Sequence, residues 1–240
     1  MQSSSKTVVI TGASSGIGLA LATAFAANGA RVVANARRMS QAQTLKQSSN
    51  LALVDGDISS PDVAERVIKS ADQFGGVDLL INNAGIFIAK PFTQFTTEDF
   101  SALISTNLTG FFHVTQRALR RMQERRSGHV VSITTSLADQ PIAGMPASIP
   151  ILTKAGLNAV TKALAIEYAA SGIRFNAVAP GIIDTPMHKP ETHESLRQLH
   201  PMARLGTTAE IVEAVMYLDR ASFVSGEVLH VDGGAHAGKW

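Results

Sequence analysis

Three glycines near the start of the chain, in VVITGASSGIGLALA, stand where a short β-branched run gives way to a helical pattern. Gly12, Gly16 and Gly18 keep the spacing G-x-x-x-G-x-G. A strand that turns directly into a helix leaves backbone N–H groups unpaired at the helix mouth, and with the helix dipole they attract a pyrophosphate. The chemistry predicted is dinucleotide binding. After the next apolar run, RVVANARRM places Ala36 where such a fold offers an acidic residue to a ribose 2′-hydroxyl, and Arg37 and Arg38 follow. A guanidinium matches a 2′-phosphate in charge and planar geometry, so the pattern favours NADP(H), with NAD(H) as the other possibility. Late in the chain His188, His193 and His200 supply groups that titrate near neutral pH, each expected to be exposed to solvent.

These residues need a scaffold, and the pattern of the chain supplies one. Seven short apolar runs, TVVI, RVVA, LALV, DLLI, HVVSI, IRFNAV and EVLHV, alternate with longer segments of helical period. That alternation predicts an α/β fold, doubly wound, with a seven-stranded, mostly parallel sheet and helices on both faces. The helical segments run from Gly16 to Asn28, Pro61 to Phe74, Thr97 to Glu124, Pro150 to Ser171 and Thr208 to Leu218, and glycines in NGA and SGI stop two of them. One domain over residues 1–240 is expected, with an irregular segment at about 182–206 placed to close over a substrate.

Composition narrows the class. The 240 residues are 45% apolar and 17% charged, with no cysteine, which excludes disulfides and thiolate chemistry; no metal site is expected. Neither a leader-like start at Met1 to Lys6 nor an 18-residue apolar segment is found, so a soluble, cytoplasmic protein without membrane contact is expected. The net charge is +2, and the densest basic cluster, Arg117, Arg120, Arg121, Arg125 and Arg126, has helical spacing. It reads as a solvated helix face; nucleic-acid binding would call for aromatic partners it lacks.

Taken in order, TGASSGIG, NNAG at Asn82 to Gly85, STNLTG, TKAGLNAVTKALAIEYA, PGIIDTP and VSGEVLHVDGG resemble the short-chain dehydrogenase/reductase family, single-domain type, from Lys6 to Gly234. The resemblance implies a Rossmann-type fold, a nicotinamide dinucleotide, reversible hydride transfer between an alcohol and a carbonyl, and a homotetramer. By position it implies that Gly12, Ser14, Ser15, Gly16, Ile17 and Gly18 hold phosphates and ribose. Asp57 and Ile58 would then hold the adenine, and Asn83 and Gly85 the adjoining ribose. Ile183 and Thr185 would hold the nicotinamide amide, with Pro180 and Gly181 also at the cofactor.

The family's catalytic group is Ser, Tyr, Lys and Asn. Lys154, which the resemblance also implies holds the nicotinamide ribose, and Asn107 match it, and Thr135 or Ser136 takes the serine place. The tyrosine should stand four residues before Lys154, one turn away on the same helix face, and Pro150 stands there. Proline suits a first helical turn, so the fold loses nothing, but it moves no proton. Tyr168 and Tyr217, the chain's two tyrosines, are expected in the core. The donor is then a hydroxyl, a held water or one of the late histidines, unless the substrate needs none.

Two functions are therefore expected: an NADP(H)-dependent oxidoreductase of a small carbonyl, alcohol or imine with a non-standard proton donor, or a cofactor-binding homologue without turnover, serving as a nucleotide-responsive binder or supporting subunit. Phe87, Ile88, Ile142, Met145 and Met187 are candidates for an apolar substrate pocket, and Phe111, Phe112, Leu152 and Leu164 for a second buried helix face between subunits.

Overall fold

The computed structural model describes residues 5–41 and 45–238. All seven apolar runs are strands: β1 (Thr7–Thr11), β2 (Arg31–Ala36), β3 (Leu51–Asp55), β4 (Leu79–Asn82), β5 (Gly128–Ile133), β6 (Ile173–Pro180) and β7 (Val228–Val231). They form one sheet in the order β3-β2-β1-β4-β5-β6-β7, and every adjacent pair is parallel. The sheet is doubly wound and of Rossmann type. Parallel strands covered on both faces read as continuous apolar runs, and all five residues of β1 are buried.

Alternate residues of each strand serve opposite faces. Val8 and Ile10 pack with Leu21 and Phe25 of α1 (Gly16–Ala27) and with Ile211 and Leu218 of α7 (Thr208–Arg220). Val9 faces the other way, toward Val67 of α2 (Pro61–Asp72) and Val114 and Met122 of α4 (Gly110–Arg125). Because the chain goes from β1 outward to β3 and then returns to β4, the order reverses between β1 and β4. The carboxyl ends of these two strands diverge into loops on opposite sides, which opens a crevice there.

Several expectations are corrected. The helix expected from Thr97 to Glu124 is interrupted: α3 (Thr97–Ile104) passes into a π turn at Ser105–Thr109 before α4 begins. The cause lies in Asn107, whose carboxamide bonds the backbone of Ile86 in both directions, Ile86 N to Oδ1 at 2.9 Å and Nδ2 to Ile86 O at 3.1 Å. A widened turn brings that side chain to its partner. Helix α5 (Ser148–Glu167) starts two residues earlier than expected, with Pro150 still in its first turn. At 20 residues α5 is also long and apolar enough, by composition, to cross a bilayer, contrary to the sequence reading; in the fold its Leu157, Thr161 and Ala165 are buried. Residues 1–4, part of the stretch read as lacking a leader, lie outside the described residues.

The late segment is partly regular, with a short 3-10 turn at Pro190–Thr192 and α6 (His193–Arg197). The arginines of α4 do not form a purely solvated face. Arg117 pairs with Glu65 (3.1 Å), Arg121 with Asp72 (3.0 Å) and Arg125 with Asp78 (2.6 Å), tying α4 to α2 and the start of β4. Tyr217 is 52% exposed, because α7 buries Ile211, Ala214, Val215 and Leu218 and turns position 217 outward. Tyr168 rests on Phe175 with ring centroids 5.9 Å apart.

At the opposite end of the sheet from the crevice, His129 is 2% exposed among Arg174, Asn176 and Asp219, and Lys6 pairs with Asp219. Burial, aided by the Arg174 charge, pushes its imidazole down to about 4. The unfolded chain binds the proton near 6.5, so the stability tied to the neutral ring is complete above that pH and is lost as pH falls toward 4. From pH 7 to pH 4.5 this costs about 2 kcal/mol. Urea denaturation at the two pH values should show that excess loss in the parent, and His129→Asn should lack it; equal pH slopes would contradict the account.

Candidate active site

One cavity of about 780 Å³ occupies the crevice at the carboxyl ends of the strands. Its floor is the glycine loop. Gly12 and Gly16 have φ of +67° and +55°, a region that favours glycine, and a Cβ on Gly12 would stand 2.8 Å from Ala84 Cα. Asn83 holds the loop against β4 by donating from Nδ2 to Thr11 O (2.9 Å) and Gly12 O (3.0 Å). Ser15 occupies the N-cap of α1 without a side-chain cap bond, so the first amides of the helix have no side-chain acceptor. Open amides at a helix mouth, on a backbone that admits close approach, fit a pyrophosphate.

Gly12, Ser14, Ser15, Gly16 and Ile17 all line this cavity; Gly18 does not. A Cβ on Gly18 would lie 2.3 Å from Gly12 O, so the absence of a side chain there lets α1 pack beneath the loop. Beyond the loop, Ala36, Arg37, Arg38, Asp57 and Ile58 form the end of the cavity above β2 and β3. Both guanidiniums are exposed, and among the described residues neither pairs with a carboxylate. The acid at the end of β3, Asp55, is taken by Ser40 N (2.7 Å) and Ser40 Oγ, bonds that hold its carboxyl below the usual range. Asp57 Oδ1 accepts from Ser59 N (2.9 Å) and Oγ (2.8 Å), a local turn bond that orients its carboxylate. Asn35, overlooked in the sequence, ties β2 to β3 through Nδ2 to Val54 O and Gly56 O. A polar residue inside an apolar strand was the available signal.

The other end gathers Gly85, Thr135, Ser136, Lys154, Pro180, Gly181, Ile183 and Thr185. Lys154 Nζ donates to Ile133 O at 2.8 Å, and burial lowers the ammonium to about 8. The residue as a whole is only half-buried, since it lines the cavity; its ammonium is hemmed in by Ile133 O and by Gly85, where a Cβ would stand 3.0 Å from Nζ. Asn107 lies behind this wall, 1% exposed, and its Nδ2 also donates to Thr153 Oγ1 (3.0 Å), which in turn donates to Pro150 O (2.8 Å). Thr153 was also overlooked; it immediately precedes Lys154.

The three hydroxyls after β5 differ in their commitments. Thr134 Oγ1 donates to Val178 O (3.2 Å) and Thr135 Oγ1 accepts from Leu137 N (3.3 Å), whereas Ser136 has no side-chain hydrogen bond among the described residues. Pro150 is buried and forms no part of the cavity wall, and no tyrosine lines it.

Of the late histidines, His188 and His200 line the cavity and His193 does not. His200 is 4% exposed, contrary to the expectation, because its Nε2 accepts from Ile182 N (2.9 Å) beneath Gly181. Burial lowers the pKa of both lining histidines. The apolar part of the wall includes Phe87, Ile142, Met145 and Met187, while Ile88 lies outside it; Leu196 of α6, not singled out in the sequence, joins them.

Comparison with known proteins agrees with this geometry. Residues 12–236 match a family model described as enoyl-(acyl carrier protein) reductase. The chain is 36% identical to 3beta-hydroxysteroid dehydrogenase 1 of Eggerthella lenta, over 95% of this chain and 93% of that protein. It is also 36% identical to 3-oxoacyl-[acyl-carrier-protein] reductase FabG of Vibrio cholerae, over 96% and 97% respectively. Among solved structures, ElxO with NADP bound superimposes with a TM-score of 0.91 at 30% identity, covering 98% of this chain and 100% of that one. The 3-ketoacyl-(acyl-carrier-protein) reductase of Brucella melitensis complexed with NADH gives 0.89 at 31%, covering 96% and 98%. With the glycine loop, the switch-point cavity and Lys154 all in place, the chain is a member of the short-chain dehydrogenase/reductase family of oxidoreductases.

Proposed function

We propose that this protein is an NADP(H)-dependent oxidoreductase that transfers a hydride between the nicotinamide and a small carbonyl, alcohol or imine, with a proton donor other than tyrosine. The observation that carries this reading is a single cavity running from the unpaired arginines to Lys154 and Ser136. The bound dinucleotide would supply the hydride. The open amides of α1 bind its pyrophosphate, and Arg37, with Arg38, meets the 2′-phosphate that distinguishes NADPH. The solved neighbours include one with NADP and one with NADH, so the preference rests on Ala36 and Arg37.

Ser136 is the better candidate to orient the substrate oxygen, since its hydroxyl is uncommitted and that of Thr135 is not. Asn107 holds the turn at Ile86 rather than reaching the cavity itself. Phe87, Ile142, Met145 and Leu196 favour an apolar substrate. Relatives named for a hydroxysteroid and a 3-oxoacyl group both work on alcohol and ketone pairs, in keeping with carbonyl chemistry here.

Position 150 is where the family's tyrosine is read to be replaced by proline. A second reading, a cofactor binder without turnover, is favoured by that one feature: a buried, proton-free ring one turn from Lys154. The two readings part on nicotinamide absorbance over a panel of ketones, imines and alcohols, beside a binding titration. Binding without any turnover supports the second.

A homotetramer is the proposed assembly. Phe112 on α4 and Leu152 on α5 are each more than half exposed, and β7 ends the sheet with an unpaired edge. Light scattering at micromolar concentration should give four subunits; a monomer would contradict it.

Calorimetry should show tighter binding of NADPH than NADH by roughly 1–3 kcal/mol, the worth of charge-assisted phosphate contacts. Arg37→Ala should remove most of that difference; an unchanged preference would sink the assignment. Pro150→Tyr should fold, because a first-turn position needs no proline, and should raise carbonyl reduction about tenfold by bringing a phenol to the face of Lys154. No gain in a folded, NADPH-binding variant would mean that the residue at 150 is not what limits turnover.

A further inference from the structure

The segment after β6 is closed at its root by backbone bonds, Asp184 N to Gly206 O (2.8 Å) and Gly206 N to Ile182 O (3.0 Å). Between those ends it carries Met187, His188 and Leu196 to the cavity wall. His200, on its returning leg, ties it back to the root. The ring accepts at Nε2 from Ile182 N (2.9 Å) and fills space that Gly181 leaves, where a Cβ would stand 2.5 Å from Nε2.

A ring nitrogen accepts from a main-chain N–H only when it carries no proton, so this bond belongs to the neutral imidazole and is lost when Nε2 is protonated. The proton of the neutral ring then sits on Nδ1, which is buried toward the Leu196 backbone without a well-formed hydrogen bond among the described residues. A donor buried in that state is costly, and it recovers a partner once the ring reaches water. The turn beyond is strained as well. His200 O accepts from Ala203 N (2.9 Å), and Ala203 has a φ of +50°, a conformation that persists in a side-chain-bearing residue only where its surroundings impose it.

The structure assigns His200 as a positioning residue: its neutral ring, bonded to Ile182 N, holds α6 and Leu196 against the substrate end of the cavity, and protonation of the ring releases them. The substrate half of this statement rests on the reductase reading above; the motion does not.

The charged groups around the ring leave it to its burial. Asp232 is near, but its carboxylate accepts from Gly234 N (3.0 Å), His236 N (2.7 Å) and the His236 ring (2.9 Å). Arg204 is paired with Glu210 (3.0 Å), and Arg197 of α6 with Glu194 (2.6 Å). His188 and His193 lie on the outgoing leg and at the start of α6, with His193 3.8 Å from Asp184. Burial, aided by the Arg204 charge, outweighs the pull of Asp232 and lowers the pKa from the ordinary 6.5. A released ring in water titrates near that ordinary value, so the closed arrangement is complete above it and is lost as pH falls below it.

The test uses the whole protein. Hydrogen exchange of peptides within 186–199, normalised to the intrinsic rate at each pH, should lose about tenfold in protection between pH 8 and pH 5. His200→Gln, whose Oε1 accepts from an N–H but takes up no proton, should keep its protection over that range. His188→Gln and His193→Gln, on the same segment, should lose it as the parent does. In 15N-histidine spectra at pH 8 the signal absent from His200→Gln should be that of an Nδ1–H tautomer. With NADPH and trifluoroacetophenone, the ratio of parent KM to His200→Gln KM should rise about tenfold from pH 8 to pH 5, while the ratio of kcat stays within about threefold. An Nε2–H tautomer, protection that does not change with pH in the parent, or an equal loss in His200→Gln overturns the assignment and leaves the reductase reading standing. Should His200→Gln not fold, loss of the pH effect in His188→Gln or His193→Gln overturns it, and its persistence in both supports it. Exchange that follows the expected pattern in a protein that binds NADPH and reduces none of the ketone upholds the positioning role and overturns the reductase reading alone.

Discussion

The clamp between Asn83 and the backbone of Thr11 and Gly12 sets the geometry on which the site depends. It lies where β1 and β4 diverge, and it pins the glycine loop so that α1 begins with its amides facing the crevice. Side chains would break it. A Cβ on Gly12 would meet Ala84 at 2.8 Å, and one on Gly18 would meet Asn83 Nδ2 at 2.4 Å as well as the Gly12 carbonyl. The atoms met are backbone and the clamping Asn83 amide, neither of which can give way without loss of the clamp, so glycine is needed at both places for different reasons: backbone conformation at Gly12, helix packing at Gly18.

A second constraint acts on the far wall. Asn107 reaches Ile86 by widening α3–α4 into a π turn, and Thr153 links the same carboxamide to the first turn of α5 through Pro150 O. The strand-end loop after β4, the π turn and the start of α5 are thus tied together by hydrogen bonds. Lys154 stands on these tied segments, paired with no carboxylate among the described residues, at the edge of a cavity. Groups held in this way are costly for the fold and useful for proton chemistry.

Opposite conditions hold at the other end of the sheet. There His129, Arg174, Asn176, Asp219 and Lys6 form a polar cluster in which the imidazole is 2% exposed, outside the cavity that carries the candidate site, and its perturbed imidazole is a matter of folding rather than reaction. His129 and Lys154 are both shifted by burial; of the two, Lys154 faces space for a ligand and is the candidate for chemistry.

The strands and the glycine loop were legible in the sequence because their signals are local: continuous β-branched runs for a sheet covered twice, and glycines at a strand-to-helix turn. The same holds for Arg37 and Lys154, each placed by its offset from an element. What the sequence left open depended on partners far along the chain. The break at Asn107 comes from Ile86, twenty-one residues away, and helical period alone carries no sign of it. Thr135 and Ser136 were equivalent as neighbouring hydroxyls until Leu137 N engaged one of them. The burial of His200, the outward turn of Tyr217 and the pairing of the α4 arginines with α2 were likewise decided by packing. Local conformation follows from residue type and spacing, but whether a polar atom is spent or free depends on which other segments the tertiary fold brings against it.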